Sequence, residues 1–168
     1  MTRLDAACPD YVPAWLAVPT EGDRGRMVRS EVWWRSPGVS TRMPVAATDL
    51  AGLLRDAAGP LELEERPGDP CARRAFLSPV RRAGGWLVQI SKSAPGPVEQ
   101  VHRIGARTGG ARATLPAAPC WARPAFLSAE CLLTRREAAA IAAWWLSVGV
   151  LPPPLLMRSA FLAEKPAP

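Results

Sequence analysis

The side chains able to do chemistry are few and scattered. The chain holds one histidine, His102, and four cysteines, Cys8, Cys71, Cys120 and Cys131. Nucleophilic catalysis needs a nucleophile, a base within hydrogen-bond reach and a group that orients the base. His102 is the one imidazole that could act as base, with Cys71, Cys120 or Cys131 as partner. None of these stands in a Gly-x-Ser-x-Gly elbow or a catalytic-cysteine signature, so a structural histidine is the better reading. The cysteines are 63, 49 and 11 residues apart. Without a Cys-x-x-Cys pair or a second histidine they form no zinc motif, and no metal or cofactor is expected. Glu62 and Glu64 share one face of a short alternating segment. A catalytic carboxylate pair needs surroundings that split the two pKa values, whereas exposed glutamates more often keep a strand edge soluble. Gly105 to Arg112 combines glycine and arginine but has no Walker lysine, and it reads as a surface loop. No catalytic residue is assigned.

Charge is the next signal. The net charge is +6, and it is unevenly spread. Residues 1–70 carry 8 basic and 11 acidic side chains, whereas residues 71–120 carry 8 basic and 1 acidic. The basic segment holds Arg73, Arg74, Arg81, Arg82, Lys92, Arg103, Arg107 and Arg112. It suits an acidic protein surface, a nucleic acid or an anion, or else it pairs with the acidic first third of the same chain. Ala, Arg, Pro and Gly make up 80 of the 168 residues. Their codons are GC-rich, so abundant arginine is first a composition effect. No helix-turn-helix, zinc-finger or RNA-binding signature accompanies the basic stretch.

Seven tryptophans include two adjacent pairs, Trp33-Trp34 and Trp144-Trp145. Neighbours on a strand point to opposite faces, so one of Trp33 and Trp34 leaves the core unless both faces are covered. On a helix, Trp144 lies about 100° from Trp145 and flanks the buried stripe. Tryptophan and arginine are the usual anchors of protein interfaces.

These side chains need a scaffold. The 168 residues, 48% hydrophobic, suffice for one ordinary domain. Residues 1–26, rich in proline and charge, read as an extended arm, and nothing in them resembles a signal peptide. Met27 to Arg35 alternates like a strand. Thr48 reads as an N-cap, with Leu50, Leu53, Leu54 and Ala57 at helical spacing and Gly59-Pro60 as the stop. Leu61–Glu65, Ala75–Val80, Trp86–Ser91 and Val98–Ile104 form an antiparallel meander, with Pro79 confining its strand to an edge or an end. Ala125–Leu133 is a further strand candidate. Thr134-Arg-Arg-Glu137 is a capping box opening a helix that carries Ala138, Ile141, Ala142, Trp145 and Val148 on one face and stops at Gly149. Ala138 to Met157 carries no formal charge, but Gly149 and Pro152–Pro154 cut the helix short of a membrane span. The expectation is an α+β fold. It has an antiparallel sheet of about five to six strands and two main helices in one domain over 27–162, with a frayed tail over 163–168.

Leu132 to Pro152, a capped helix with a Gly-x-x-Pro exit, resembles the C-terminal end of a family of immunity proteins from bacterial polymorphic toxin systems. It is the first-numbered family, linked to deaminase toxins. The resemblance implies a strand, a helix, a meander and a closing helix in that order. It also implies a non-enzymatic cytoplasmic protein that binds and blocks a cognate toxin. The leading expectation is therefore a protein-binding domain with Trp33, Arg73, Arg74, Arg81, Arg82 and Trp144 as contact residues. A nucleic-acid or anion-binding domain using residues 71–112 is the second reading, and a small enzyme using His102 or a cysteine the third.

Overall fold

The computed structural model describes residues 2–5, 20–80, 84–92, 98–106, 132–151 and 155–164. The strands are β1 (Thr2–Asp5), β2 (Glu31–Arg35), β3 (Met43–Ala46), β4 (Leu61–Glu64), β5 (Arg73–Val80), β6 (Gly85–Lys92), β7 (Val98–Ala106) and β8 (Leu155–Glu164). The helices are α1 (Glu21–Val28), α2 (Leu50–Asp56), entered through a 3-10 turn at Ala47–Asp49, and α3 (Arg135–Val148). One sheet runs in the order β1-β8-β7-β6-β5-β4-β2-β3, and every neighbouring pair is antiparallel. The α+β class and the β4–β7 meander match the expectation. The described residues contain eight strands and three α-helices, more than the pattern announced.

Residues directly opposite each other on neighbouring strands share a face. Trp34, Leu63, Ala75, Ile90 and His102 line up across β2, β4, β5, β6 and β7 on one face. That face carries the core. Val32, Leu61, Leu63, Ala75, Leu77, Val88, Ile90 and Ile104 pack there against Leu50 and Leu54 of α2 and Ile141, Ala142, Trp145 and Leu146 of α3. The small side chains Ala138, Ala139, Ala142 and Ala143 let α3 lie close to the strands, as small residues do where elements approach.

Helix α3 is closed at both ends by its own sequence. The Glu137 backbone N–H donates to Thr134 Oγ1 at 3.2 Å, and the Thr134 N–H donates to the Glu137 carboxylate at 2.7 Å. At the other end Gly149 has φ +76°, and its N–H donates to the Trp145 and Trp144 carbonyls at 2.9 and 3.2 Å. A Cβ on Gly149 would stand 2.7 Å from Arg73 Nη1.

Several local expectations shift. The strand expected from Met27 begins at Glu31, because Glu21–Val28 is helical. Within the expected arm over 1–26, Thr2–Asp5 pairs with β8, while residues 6–19 lie outside the described residues. Gly22 and Gly25 depress helix propensity in α1. Asp23 compensates by accepting the Thr20 N–H at 2.6 Å and a hydrogen bond from Arg26, which holds its carboxyl below the usual range. Thr48 is inside the 3-10 turn rather than an N-cap, and α2 ends at Ala57 in extended conformation, not at a left-handed Gly59. Strand β3 went unread because Pro44 interrupts it. It survives because β3 is the sheet's outermost strand, where a missing donor is tolerated.

Pro79 sits at a strand end, as expected. Strand β4 reaches only as far as Leu77. Trp86, opposite Pro79, exchanges both backbone bonds with Leu133 at 2.8 and 2.9 Å, so the Pro79–Trp86 pair is not a hydrogen-bonded one. Pro79 therefore turns its nitrogen toward the side that β4 no longer covers. Of the strand expected over Ala125–Leu133, Leu133 makes this isolated bridge, and 125–131 lie outside the described residues. Gly85 admits Leu132 and Leu133, since a Cβ there would meet Leu132 Cδ1 at 2.6 Å. The tail expected from Ala163 is paired through Glu164 in β8.

Gly149→Ala should lower unfolding free energy by about 1–2 kcal/mol, from the left-handed backbone alone, and by more if Arg73 is displaced. Thr134→Ala should cost about 1 kcal/mol. Urea denaturation of the two variants checks both values.

Candidate functional site

The sheet face turned away from the helices is polar, and it is where the charged side chains meet. One row across it runs Arg35, Glu62, Phe76, Gln89 and Arg103, and the next runs Trp33, Glu64, Arg74, Ser91 and Val101. Strand alternation puts them there: each is one residue away from a core position on its own strand. Arg35 Nε donates to Glu62 at 2.5 Å, and Arg42 Nε donates to Glu64 at 3.0 Å. Arg74 Nε lies 3.9 Å from the other Glu64 oxygen, too far for a hydrogen bond. Coverage rises across the face. Trp33 and Arg35 are half-buried, while Leu87, Gln89, Ser91, Val101 and Arg103 are buried.

The six expected contact residues do not gather on one surface. Trp33 and Arg74 share the far face, two strands apart. Trp34 packs on the core, so the tryptophan pair divides as strand alternation requires. Arg73 lies on the helix side. Its Nη2 donates to Glu65 at 2.9 Å and to the Leu146 carbonyl at 3.2 Å, and its backbone N–H also reaches Glu65. Burial is the largest influence on this guanidinium and lowers its pKa, with Glu65 opposing. Arg73 thus supplies a cation at the C-terminal end of α3, where the helix dipole favours one. Trp144 is half-buried on the flank of α3, and Trp145 is in the core. Arg81 and Arg82 lie outside the described residues.

His102 is on the helix face, fully buried opposite Ile90. Burial pushes its pKa from 6.5 down to about 4, so at neutral pH it is an uncharged core residue, and no substrate reaches it without opening the core. Cys71 is a free, exposed thiol; Cys8, Cys120 and Cys131 lie outside the described residues. Glu62 and Glu64 do not protect an edge, because β4 sits between β2 and β5. They neutralise Arg35 and Arg42. Arg35 and Arg42 were not singled out as site residues in the sequence, and Gln89 and Arg103 entered only as part of the basic segment 71–112. The available signal was their place at the polar positions of alternating strands.

Among the described residues no three His, Cys, Asp or Glu side chains are placed to hold a metal ion, and no helix is long and apolar enough to cross a membrane. Comparison of the chain with known protein families, with curated proteins and with solved structures finds no match.

Two outcomes follow from these placements. His102 binds its proton more weakly folded than unfolded, so its contribution to stability is complete above pH 6.5 and is lost as pH falls toward 4, by at most about 3 kcal/mol. Urea titrations across that range should show the decline in the native protein and a flatter profile in His102→Leu. Arg73→Met should destabilise the fold by about 2–3 kcal/mol, because Glu65 and the Leu146 carbonyl lose a charged donor; the chemical-denaturation midpoint reads this.

Proposed function

We propose that this protein is a non-enzymatic binding protein that engages a protein partner through the β2–β3–β4 end of the far face. It would act as an immunity protein does, neutralising a toxin by direct contact in the cytoplasm. The observation that carries the reading is Trp33. It stands on the face opposite the core, half-buried, beside exposed Pro44 on β3 and next to Glu64 in its row. The Arg35–Glu62 and Arg42–Glu64 pairs flank it. An aromatic centre with a charged, hydrogen-bonded surround is the anatomy of a protein interface. The run of β2, α2, the β4–β7 meander and α3 follows the order that the immunity-family resemblance implies, while β1, α1, β3 and β8 are additional to it. Free, exposed Cys71 suits a reducing compartment.

The test is capture of partners by the tagged full chain from its native host, with nuclease treatment and at raised salt, in parallel with Trp33→Ala and Arg42→Glu. One stoichiometric protein should survive both treatments. Trp33→Ala should weaken its binding by about tenfold or more, and Arg42→Glu should act mainly on the association rate. Nucleic acid released by salt would favour the nucleic-acid reading of residues 71–112 instead. Unchanged capture by both variants would remove this face from the interface.

A further inference from the structure

We propose that Pro44 closes the outer edge of β3, an edge that would otherwise pair with the same edge of a second copy of this chain. The inference concerns the edge of the sheet rather than its far face, so it does not depend on the partner reading of Trp33.

The register fixes which way β3 turns its backbone. The Ala47 N–H donates to the Ser30 carbonyl at 2.9 Å, one step beyond the Ala46–Glu31 pair. Ala47 and Ser30 are therefore a hydrogen-bonded pair, and such pairs alternate with non-hydrogen-bonded ones along an antiparallel ladder. Val45 and Met43 thus direct their backbone groups to Val32 and Trp34 of β2, whereas Pro44 and Ala46 turn theirs outward. Strand β3 is the outermost of the sheet, and Met43 and Pro44 are exposed, so this edge meets solvent. A proline at 43 or 45 would break a bond to β2. At 44 it leaves the sheet intact and removes a donor from the free edge alone.

An exposed strand edge is a template for pairing, and apolar side chains beside it add to the hazard. The exposed large hydrophobic side chains among the described residues are Val28, Val39 and Met43. Val39 and Met43, at 47% and 51% exposure, belong to the β2–β3 hairpin. A two-fold antiparallel pairing of β3 with its copy, centred on residue 44, would set Pro44 against Pro44 and Ala46 against Arg42. Proline has no N–H, so the central pair would lose both its hydrogen bonds. Each ring would also stand in the place of the donor that the facing carbonyl requires. In a strand of four residues this removes the middle of the ladder. Proline on an edge strand is one of the devices that blunt such pairing.

Self-association of the purified full chain is compared with that of Pro44→Thr and of the double variant Pro44→Thr, Ala46→Pro, by sedimentation velocity over a concentration series. Threonine suits an exposed strand and restores the donor. Pro44→Thr should therefore associate about tenfold or more tightly than the parent, from two regained hydrogen bonds. Ala46 already has φ −63°, which proline adopts, and its nitrogen faces outward, so adding Ala46→Pro should return association to the parent level. Amide exchange supplies a readout that needs no variant: the Ala46 N–H of the parent should exchange at a rate independent of protein concentration. The proposal is overturned if Pro44→Thr associates no more than the parent or if the double variant associates like the single one. It is also overturned if the parent's Ala46 N–H gains protection as concentration rises, because the edge would then be pairing despite Pro44. Partner capture through Trp33 is read in a separate experiment, so failure of either proposal leaves the other standing.

Discussion

Trp145 lies where α3 crosses β5 and β6, and the joining of the two layers depends on it. Its ring is fully buried, and a buried tryptophan ranks among the largest single contributions to a core, about 3–5 kcal/mol when truncated. Its indole N–H, which could not be left bare in that position, donates to the Arg74 and Ser91 carbonyls at 3.0 and 3.3 Å. Those two residues are opposite each other on β5 and β6. One side chain therefore brings apolar area to the core and fixes where along the strands the helix sits. Arg73 acts at the next residue of α3, tying the Leu146 carbonyl to Glu65. Together they set the position of α3, and α2 and α1 pack against it in turn.

With the helices committed to one face, the other face inherits every alternate strand residue. That is why arginines and glutamates distant in sequence become neighbours. Arg35 and Glu62 are 27 residues apart, and Arg42 and Glu64 are 22 apart. Exposed ion pairs contribute little to stability, but here the partners are mostly shielded, with Glu64 only 6% exposed at its side chain. Losing one member would strand the other in a poorly solvated place. The acidic first third supplies Glu62 and Glu64 to its own Arg35 and Arg42, and Glu65 to Arg73 of the basic segment. Arg74, in the basic segment, has Glu64 at 3.9 Å, a carboxylate it shares with Arg42.

The sequence was most readable where local chemistry and global fold agree. The capping box at Thr134, the apolar stripe of α3 and the glycine that ends it are all local, so they could be read and they hold. The alternation in Trp86–Ser91 and Leu61–Glu65 placed two interior strands for the same reason. The reading weakened where an element depends on partners rather than on itself. Strand β3 contains a proline, α1 contains two glycines, and β8 follows a run of prolines. Each is held by the neighbour it pairs or packs with. Of the candidate site residues, Trp33 could be found because adjacent tryptophans on a strand must part. Arg35 and Arg42 could not, because the carboxylates they meet, Glu62 and Glu64, are 27 and 22 residues away along the chain.

By itself the sequence determined the α+β class, the central meander, helix α3 with both its caps, and that the two tryptophans of β2 part to opposite faces. These follow from period, propensity and capping, which act over a few residues. Only the tertiary structure decided which charges meet. It placed Arg73 at the end of α3 and Arg74 on the opposite face, although they are adjacent in the chain, and it set His102 in the core. Those outcomes depend on strand order and register, which are fixed by the summed burial of one sheet face against the helices and by no single residue's preference.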